Sequence, residues 1–536
     1  MPSDRPNFLF IITDQQRADH LGCYGNSVLK TPHIDSIATR GRKFENFYVQ
    51  SAVCQSNRAT ILTGRTNTQH GVRVNGIPIS LNDVCFTHHL KSAGYATALF
   101  GKAHFQNFTT QKPPYESTMD RNLTPPPEAL TEASRSLRSG PEYEREKNFG
   151  QSTDPIADEK AGDYYGFDSF RICTWHGDDV QGHYNQWLEE RYPNSDQNRS
   201  SVNPLPDERY TAPQARKPRM PEKLYPTNYI TEMTLEYLDT HAEQESPEPF
   251  FIQCSFNDPH HPFTPPGKYW DMYEPTDIEL PESFYHQPHD QTPILARMHN
   301  ELENGDPDRE WVRPYAVRED EAKQIIALTY GMISYIDDSV GRLLKKLEDL
   351  DILDNTVVVF TSDHGDWMGD HGIMQKALLH YQGLIRVPFI WMDPRDTDQG
   401  TNTAEIGCSG DIARTILNRA GLGGNMGMMG QNLLPIMFEN GSSKRDGVLI
   451  EQQSALPLPG QDRPLRVKTF VDTNWRLTYW LGQDWGEFYD LANDPHEIVN
   501  LWESQEHEMT RNQLIEKMML TVFENEDTSP SQVNVG

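Results

Sequence analysis

Four apolar runs in this chain end abruptly in charged or imidazole-bearing residues, and that repetition constrains the fold more than any other feature. Phe8–Thr13 runs into Asp14-Gln15-Gln16-Arg17, Tyr95–Phe100 into Gly101-Lys102-Ala103-His104, Pro249–Phe256 into Asn257-Asp258-Pro259-His260-His261, and Thr356–Phe360 into Thr361-Ser362-Asp363-His364. A short continuous apolar run bounded by turn residues reads as a strand buried on both faces, the habit of parallel sheets. Open parallel sheets bind ligands beyond the carboxyl ends of their strands. The expectation is an α/β protein whose large, mixed and mostly parallel sheet, flanked by helices, gathers its chemistry along one edge.

The intervening segments fit that scheme. Thr31-Pro32 supplies a helix start with apolar residues at Ile34, Ile37 and Ala38, and Phe44–Val49 reads as a second strand. Helices are expected near Thr87–Ala93, over Thr227–His241 and over Glu319–Leu350, the last with Ile325, Ile326, Met332, Ile333, Ile336, Val340, Leu343, Leu344 and Leu347 on one face. Two stretches, about 106–225 and 265–318, are rich in proline and charge with little periodicity, and read as insertions around a substrate entrance. In the first, Trp175, Tyr184 and Trp187 suit either a flat substrate face or ordinary packing. After Lys444 the pattern turns to short strands, Gly447–Glu451, Arg466–Val471, Trp475–Leu481 and Glu487–Asp490, which suit a small antiparallel sheet. With 536 residues, a catalytic domain over 1–440 and a smaller one over 441–536 is the natural division.

Charge narrows the partners. There are 48 basic and 78 acidic residues, a formal charge of -30, which disfavours nucleic acid and anionic membranes. An anionic substrate must then be held by local positive charge. The six cysteines show no CxxC spacing, so reduced thiols are expected rather than a disulfide framework or a structural zinc site. Met1–Pro6 is polar and the apolar run after it is too short for a signal peptide, so a cytoplasmic location is expected, or a periplasmic or secreted one should a leader have been removed. No run approaches the length of a membrane span.

Cys54 and Arg58 stand one helical turn apart where a loop enters a helix expected to start near Arg58. A helix N-terminus favours anions and lowers a thiol pKa. Asp14, Asp363 and His364 share the sheet edge, and this oxygen-rich set with one imidazole suits a hard divalent cation such as Ca²⁺ or Mg²⁺. Lys102, His104, His260 and Lys376 add cations and proton carriers, suited to a tetrahedral oxyanion. The residues alone point to a metal-dependent hydrolase of an anionic ester.

In ordered blocks the chain resembles the sulfatases of the alkaline-phosphatase-like superfamily, together with the related phosphonate monoester hydrolases. The blocks are Asn7–Gln15, Thr31–Phe47, Cys54–Asn75, Gly101–His104, Ser255–Pro266, Thr361–Ile390 and Phe488–Leu501. The resemblance implies that a modifying enzyme oxidises Cys54 to formylglycine, whose aldehyde hydrate is the nucleophile. It implies Asp14, Gln15, Cys54, Asp363 and His364 as metal ligands, with Ca²⁺ expected and Mg²⁺ or Mn²⁺ as alternatives. Arg58, Lys102, His104, His260 and Lys376 would bind sulfate or move protons, and Asn75 would touch the substrate. One hydroxyl of the hydrate attacks sulfur in line; the other, deprotonated by a base such as His104, expels sulfate as the aldehyde re-forms.

Two positions depart from the family pattern. Ser56, followed by Asn57 where serine or alanine is common, stands where a proline belongs to the signal read by the modifying enzyme, and Gln15 stands where many members carry aspartate. The implied substrate is a small-molecule or saccharide sulfate ester. A phosphonate monoester or phosphodiester on the same site is the alternative, and a binding protein with unmodified Cys54 a third. Homo-oligomerisation is left open.

Overall fold

The computed structural model describes residues 5–109, 124, 126–130, 137–151, 157–286, 291–305, 309, 313–439, 441–457, 463–529 and 531–534. The rest of the two expected insertions, and the first four residues, lie outside these.

Fifteen strands are present among the described residues: β1 (Asn7–Thr13), β2 (Arg42–Tyr48), β3 (Ala96–Lys102), β4 (Ser169–Thr174), β5 (Gln181–Gly182), β6 (Phe250–Ser255), β7 (Tyr315–Ala316), β8 (Thr356–Ser362), β9 (Ile373–Met374), β10 (Phe389–Met392), β11 (Thr401–Cys408), β12 (Val448–Pro457), β13 (Pro464–Val471), β14 (Trp475–Trp480) and β15 (Gly486–Asp490). Nine form one sheet in the order β11-β2-β10-β8-β1-β6-β3-β4-β5. β1 runs parallel to β6 and β8, β3 to β6 and β4, and β2 to β11, whereas β10 and β5 pair antiparallel to their neighbours. The mixed, mostly parallel sheet follows the sequence expectation.

Burial on both faces explains the continuous apolar runs. Along β1, Phe8, Phe10 and Ile12 join one core cluster and Leu9 and Ile11 the other; along β8, Val357 and Val359 oppose Val358 and Phe360 in the same way. Helices α1 (Pro32–Thr39), α3 (Pro226–Ala242) and α4 (Glu319–Asp349) cover one face, while α2 (Cys54–Thr63) and α5 (Asp411–Arg419) cover the other. All nine apolar residues expected on the buried face of α4 are buried.

The strands β12-β13-β14-β15 make the small antiparallel C-terminal sheet. One of its faces joins the main core through Val448, Ile450, Val467 and Trp480, and the other packs Leu449, Phe470, Leu477 and Phe488 on the last helix, α6 (Glu508–Glu524). Arg476, fully buried, ties the two parts together. It meets Glu487 at 2.9 Å and also bonds Glu497, which in turn accepts the Gln382 N–H at 2.7 Å.

The register fixes the active edge. Thr13 lies opposite Ser362, Ile12 opposite Ser255, and Gly101 opposite Ser255. Asp14, Asp363 and Lys102 therefore emerge side by side. Gly101, at φ +108°, lets β3 come this close: a Cβ there would lie 1.8 Å from the Ser255 carbonyl oxygen. Two strands of the sheet, β4 and β5, come from the stretch expected to be an insertion, and the Lys102–Cys173 register of β4 extends the edge beyond β3.

Candidate active site

Cys54 is the first residue of α2, four positions earlier than the sequence suggested, and every residue of this helix is buried. A helix enclosed on all sides has no apolar stripe, so periodicity could not locate its start. Its polar side chains, Ser56 apart, are paired instead. Asn57 Nδ2 donates to the Asp363 carbonyl at 2.6 Å, and its Oδ1 accepts from Ser409 Oγ at 2.7 Å. Ser56 occupies the third helical position, where the backbone N–H has no intrahelical acceptor, and its hydroxyl oxygen has no partner among the described residues. Proline would therefore forfeit no helical hydrogen bond at that position.

The Cys54 sulfur lies 3.1 Å from His364 Nε2, 3.0 Å from Lys376 Nζ and 3.6 Å from Asp14 Oδ1. Burial and Asp14 push the thiol pKa up, but Lys102, Lys376 and His364 outweigh them and hold it below its ordinary value. Ligand atoms of Asp14, Cys54, Asp363 and His364 lie within 4.8 Å of one another. His364 Nδ1 is 2.7 Å from the Gly365 carbonyl. A carbonyl only accepts, so Nδ1 carries a hydrogen and Nε2 faces Cys54 and the carboxylates; burial and Lys376 work against the imidazolium, but Asp363 and Cys54 hold its pKa above the ordinary value.

Cations surround this acidic pair. Arg58 Nε donates to Asp363 Oδ2 at 2.7 Å and Nη1 to the Lys102 carbonyl at 2.8 Å, leaving Nη2 buried without a partner among the described residues. Lys102 forms an ion pair with Asp14, and its Nζ is 2.9 Å from His176 Nε2. Burial works to raise the Asp14 pKa, yet Lys102, His260, His176 and Lys376 together hold it well below the usual range. Lys376 Nζ reaches Gln15 Oε1 at 2.7 Å and His260 Nε2 at 3.0 Å. His260 Nδ1 faces the His261 carbonyl at 2.6 Å, which fixes its tautomer and leaves Nε2 to accept from Lys376.

Gln15, Arg58, Lys102, His260 and Lys376 thus gather with Asp14, Cys54, Asp363 and His364. His104 sits beside them, its Nδ1 buried without a partner among the described residues and its ring 4.5 Å from that of Phe108. Burial, then Lys102, Arg58 and His176, hold its pKa well below the ordinary imidazole value. Asn75 is exposed, and its oxygen accepts the Gln55 N–H at 3.2 Å, capping the start of α2.

Sequence reasoning missed three contributors. His176 follows β4, stacks on His260 with ring centres 3.5 Å apart, and reaches Asp14 at 3.4 Å; recognising β4 as a strand would have put it on the edge. Ser255, the last residue of β6, accepts from Arg58 at 2.9 Å. Asp366 accepts from the Gln15 amide. Trp187 and Tyr184 are buried packing residues, and Trp175 alone of the three named aromatics is exposed.

A doubly covered, mostly parallel sheet with this edge is an alkaline-phosphatase-like hydrolase. The sulfatase family model matches residues 6–422, and that of the C-terminal part of N-sulphoglucosamine sulphohydrolase matches 369–523. The chain belongs to the sulfatase family and is a sulfuric ester hydrolase. It is 29% identical over 515 residues to an arylsulfatase of Clostridium perfringens, covering 94% of this chain and 91% of that one. To an N-acetylglucosamine-6-O-sulfatase of Bacteroides thetaiotaomicron it is 23% identical, with 98% and 88% covered. The crystal structure of the phosphonate monoester hydrolase of Agrobacterium radiobacter shares the fold, with a TM-score of 0.74, 22% identity, and 99% and 98% of the two chains covered.

Proposed function

We propose that the protein hydrolyses sulfate monoesters with a formylglycine made from Cys54. The observation that carries this reading is the placement of the Cys54 sulfur, at the first turn of a buried helix and within 3.6 Å of Asp14, His364 and Lys376. Sγ marks where the oxygens of the hydrated aldehyde would stand.

The donor set fits a divalent cation, Ca²⁺ by preference: the carboxylates of Asp14 and Asp363 and Nε2 of His364 converge beside Cys54, and the Gln15 amide oxygen reaches the same Lys376 that bonds the Cys54 sulfur. Bound there, the ion would supply positive charge to the nucleophile and the sulfate oxygens.

The chain's own residues do the rest. Arg58 and Lys102 are paired to Asp363 and Asp14, which fixes their positions without reorganisation when a sulfate arrives. Lys376 donates to His260 Nε2 at 3.0 Å, so Lys376 is the source of the proton for the departing oxygen, given directly or by way of His260. His104, held neutral, is a base for the second hydroxyl.

The test is mass spectrometry of the Cys54 peptide after co-expression with a formylglycine-generating enzyme, beside rates on aryl sulfate, phosphonate monoester and phosphodiester substrates. Loss of the thiol mass with fastest turnover of sulfate is expected. An unaltered thiol with hydrolysis intact would refute the formylglycine route, and phosphorus esters faster by orders of magnitude would refute the substrate.

A further inference from the structure

A row of rings leads out of the sulfate pocket. His104 packs on Phe108 with centres 4.5 Å apart, and Phe108 meets Trp175 edge-on at 5.7 Å and His176 at 6.4 Å. The row begins among the cations and ends at an indole that is 45% exposed. Trp175 is the residue after β4 and directly precedes His176, so its place is fixed by the strand that delivers His176 to Asp14 and Lys102.

The backbone of Trp175 is unusual in the same way as its neighbours on the edge. Gln15 after β1, His104 after β3 and Trp175 after β4 have φ of +69°, +53° and +65°. Bulky side chains rarely occupy this left-handed region, and such outliers concentrate at functional sites. Asn257, itself buried, holds the turn by donating from Nδ2 to the Trp175 carbonyl at 2.6 Å. A large apolar side chain left nearly half exposed on a costly backbone gains little for the fold.

Building on the sulfatase reading, we infer that Trp175 and Phe108 form a stacking subsite for the alcohol part of the ester, selecting leaving groups with a flat apolar face: an aryl ring or one face of a pyranose. Stacking on an exposed indole leaves the sulfur chemistry untouched and lowers the KM of flat substrates.

The left-handed backbone provides a clean variant. Trp175→Gly removes the ring at a position where glycine is the favoured residue, so relief of the left-handed strain offsets much of the packing lost on Phe108 and the fold is retained. With 4-nitrophenyl sulfate, glucosamine 6-sulfate and butyl sulfate, the variant should raise KM by about three- to tenfold on one or both flat substrates. Its kcat should hold, butyl sulfate should be unchanged, and Trp175→Phe should restore most of the loss. A rise on the aryl ester alone or on the sugar alone names the face that is read. No change on any substrate, or an equal loss on butyl sulfate, overturns the subsite. Calorimetric titration of the same esters into Cys54→Ala, with and without Trp175→Gly, separates this from the chemistry. Tryptophan-dependent preference for flat esters there supports the subsite even if the unsubstituted enzyme cleaves no sulfate, and its absence overturns it.

Discussion

Glu146 offers a sharp test of how the catalytic edge is held. Its buried carboxyl accepts the backbone N–H groups of His104, Phe105 and Gln106 at 3.1, 2.7 and 2.7 Å and the Tyr164 hydroxyl at 2.7 Å, so it clamps the turn after Lys102. Burial pushes its pKa up to about 7, against the pull of those four donors. Above about pH 4.5 an unfolded chain has released this proton while the folded protein retains it to about 7. Folding therefore takes up a proton in this window, and stability falls as pH rises through it, by about 3 kcal/mol at roughly 1.4 kcal/mol per pH unit. In Glu146→Gln the amide oxygen can keep three donors, and its NH₂ opposes the His104 N–H, a fixed cost of about 1–2 kcal/mol. Urea unfolding of both proteins from pH 5 to 8 should show the variant's deficit shrinking and reversing as pH rises. A difference between them that does not move with pH would show Glu146 ionised throughout and refute the reasoning. Glu146→Ala leaves all four donors without it and should cost about 4 kcal/mol or more at pH 5, a deficit that shrinks by the same roughly 3 kcal/mol as pH rises.

Arg476→Met would strand Glu487 and Glu497 without their cation, costing about 3–5 kcal/mol; calorimetry should show the C-terminal sheet melting early, and an unchanged melting curve would deny the arginine its linking role. Chelation should abolish hydrolysis and Ca²⁺, Mg²⁺ or Mn²⁺ restore it, while circular dichroism stays native because Lys102 and Arg58 still neutralise Asp14 and Asp363. Hydrolysis that survives exhaustive chelation would remove the ion from the reaction.

The strands that carry the site were legible because each is buried on both faces and so reads as an unbroken apolar run with an abrupt polar end. β4 was not, and the reason is local. Its sequence, Ser-Phe-Arg-Ile-Cys-Thr, places Arg171 mid-strand, where a 2.8 Å bond to Glu159 from outside the sheet satisfies it. That pairing is invisible in sequence, and with β4 went His176 and the exposed setting of Trp175. The resemblance implies a substrate contact for Asn75, but its capping bond to Gln55 exists only because the chain folds back after α2. The residues that cluster around Cys54 were readable from motif; those that orient them depend on contacts between distant segments.

Gln15 shows how such a contact accounts for a departure from the family pattern. Its Oε1 accepts from Lys376 at 2.7 Å, while its Nε2 donates to Asp366 and lies 3.2 Å from His261 Nδ1. Asp366 cannot turn away, because its other oxygen accepts the N–H groups of Met368 and Gln375 at 2.8 and 2.9 Å. A carboxylate at position 15 would face this carboxylate with no donor between them, so the amide is the group that can offer an oxygen to the pocket and a hydrogen to Asp366. Gln15→Glu should then destabilise the protein by about 1–3 kcal/mol. Adding Asp366→Asn should recover most of that loss, since the asparagine oxygen keeps both backbone bonds and its NH₂ supplies the missing donor. A double-mutant cycle measured by urea unfolding should give a coupling of about 1–3 kcal/mol in favour of the swap. Additive losses would mean that the Gln15–Asp366 bond does not determine the residue at position 15, and that the departure has another origin.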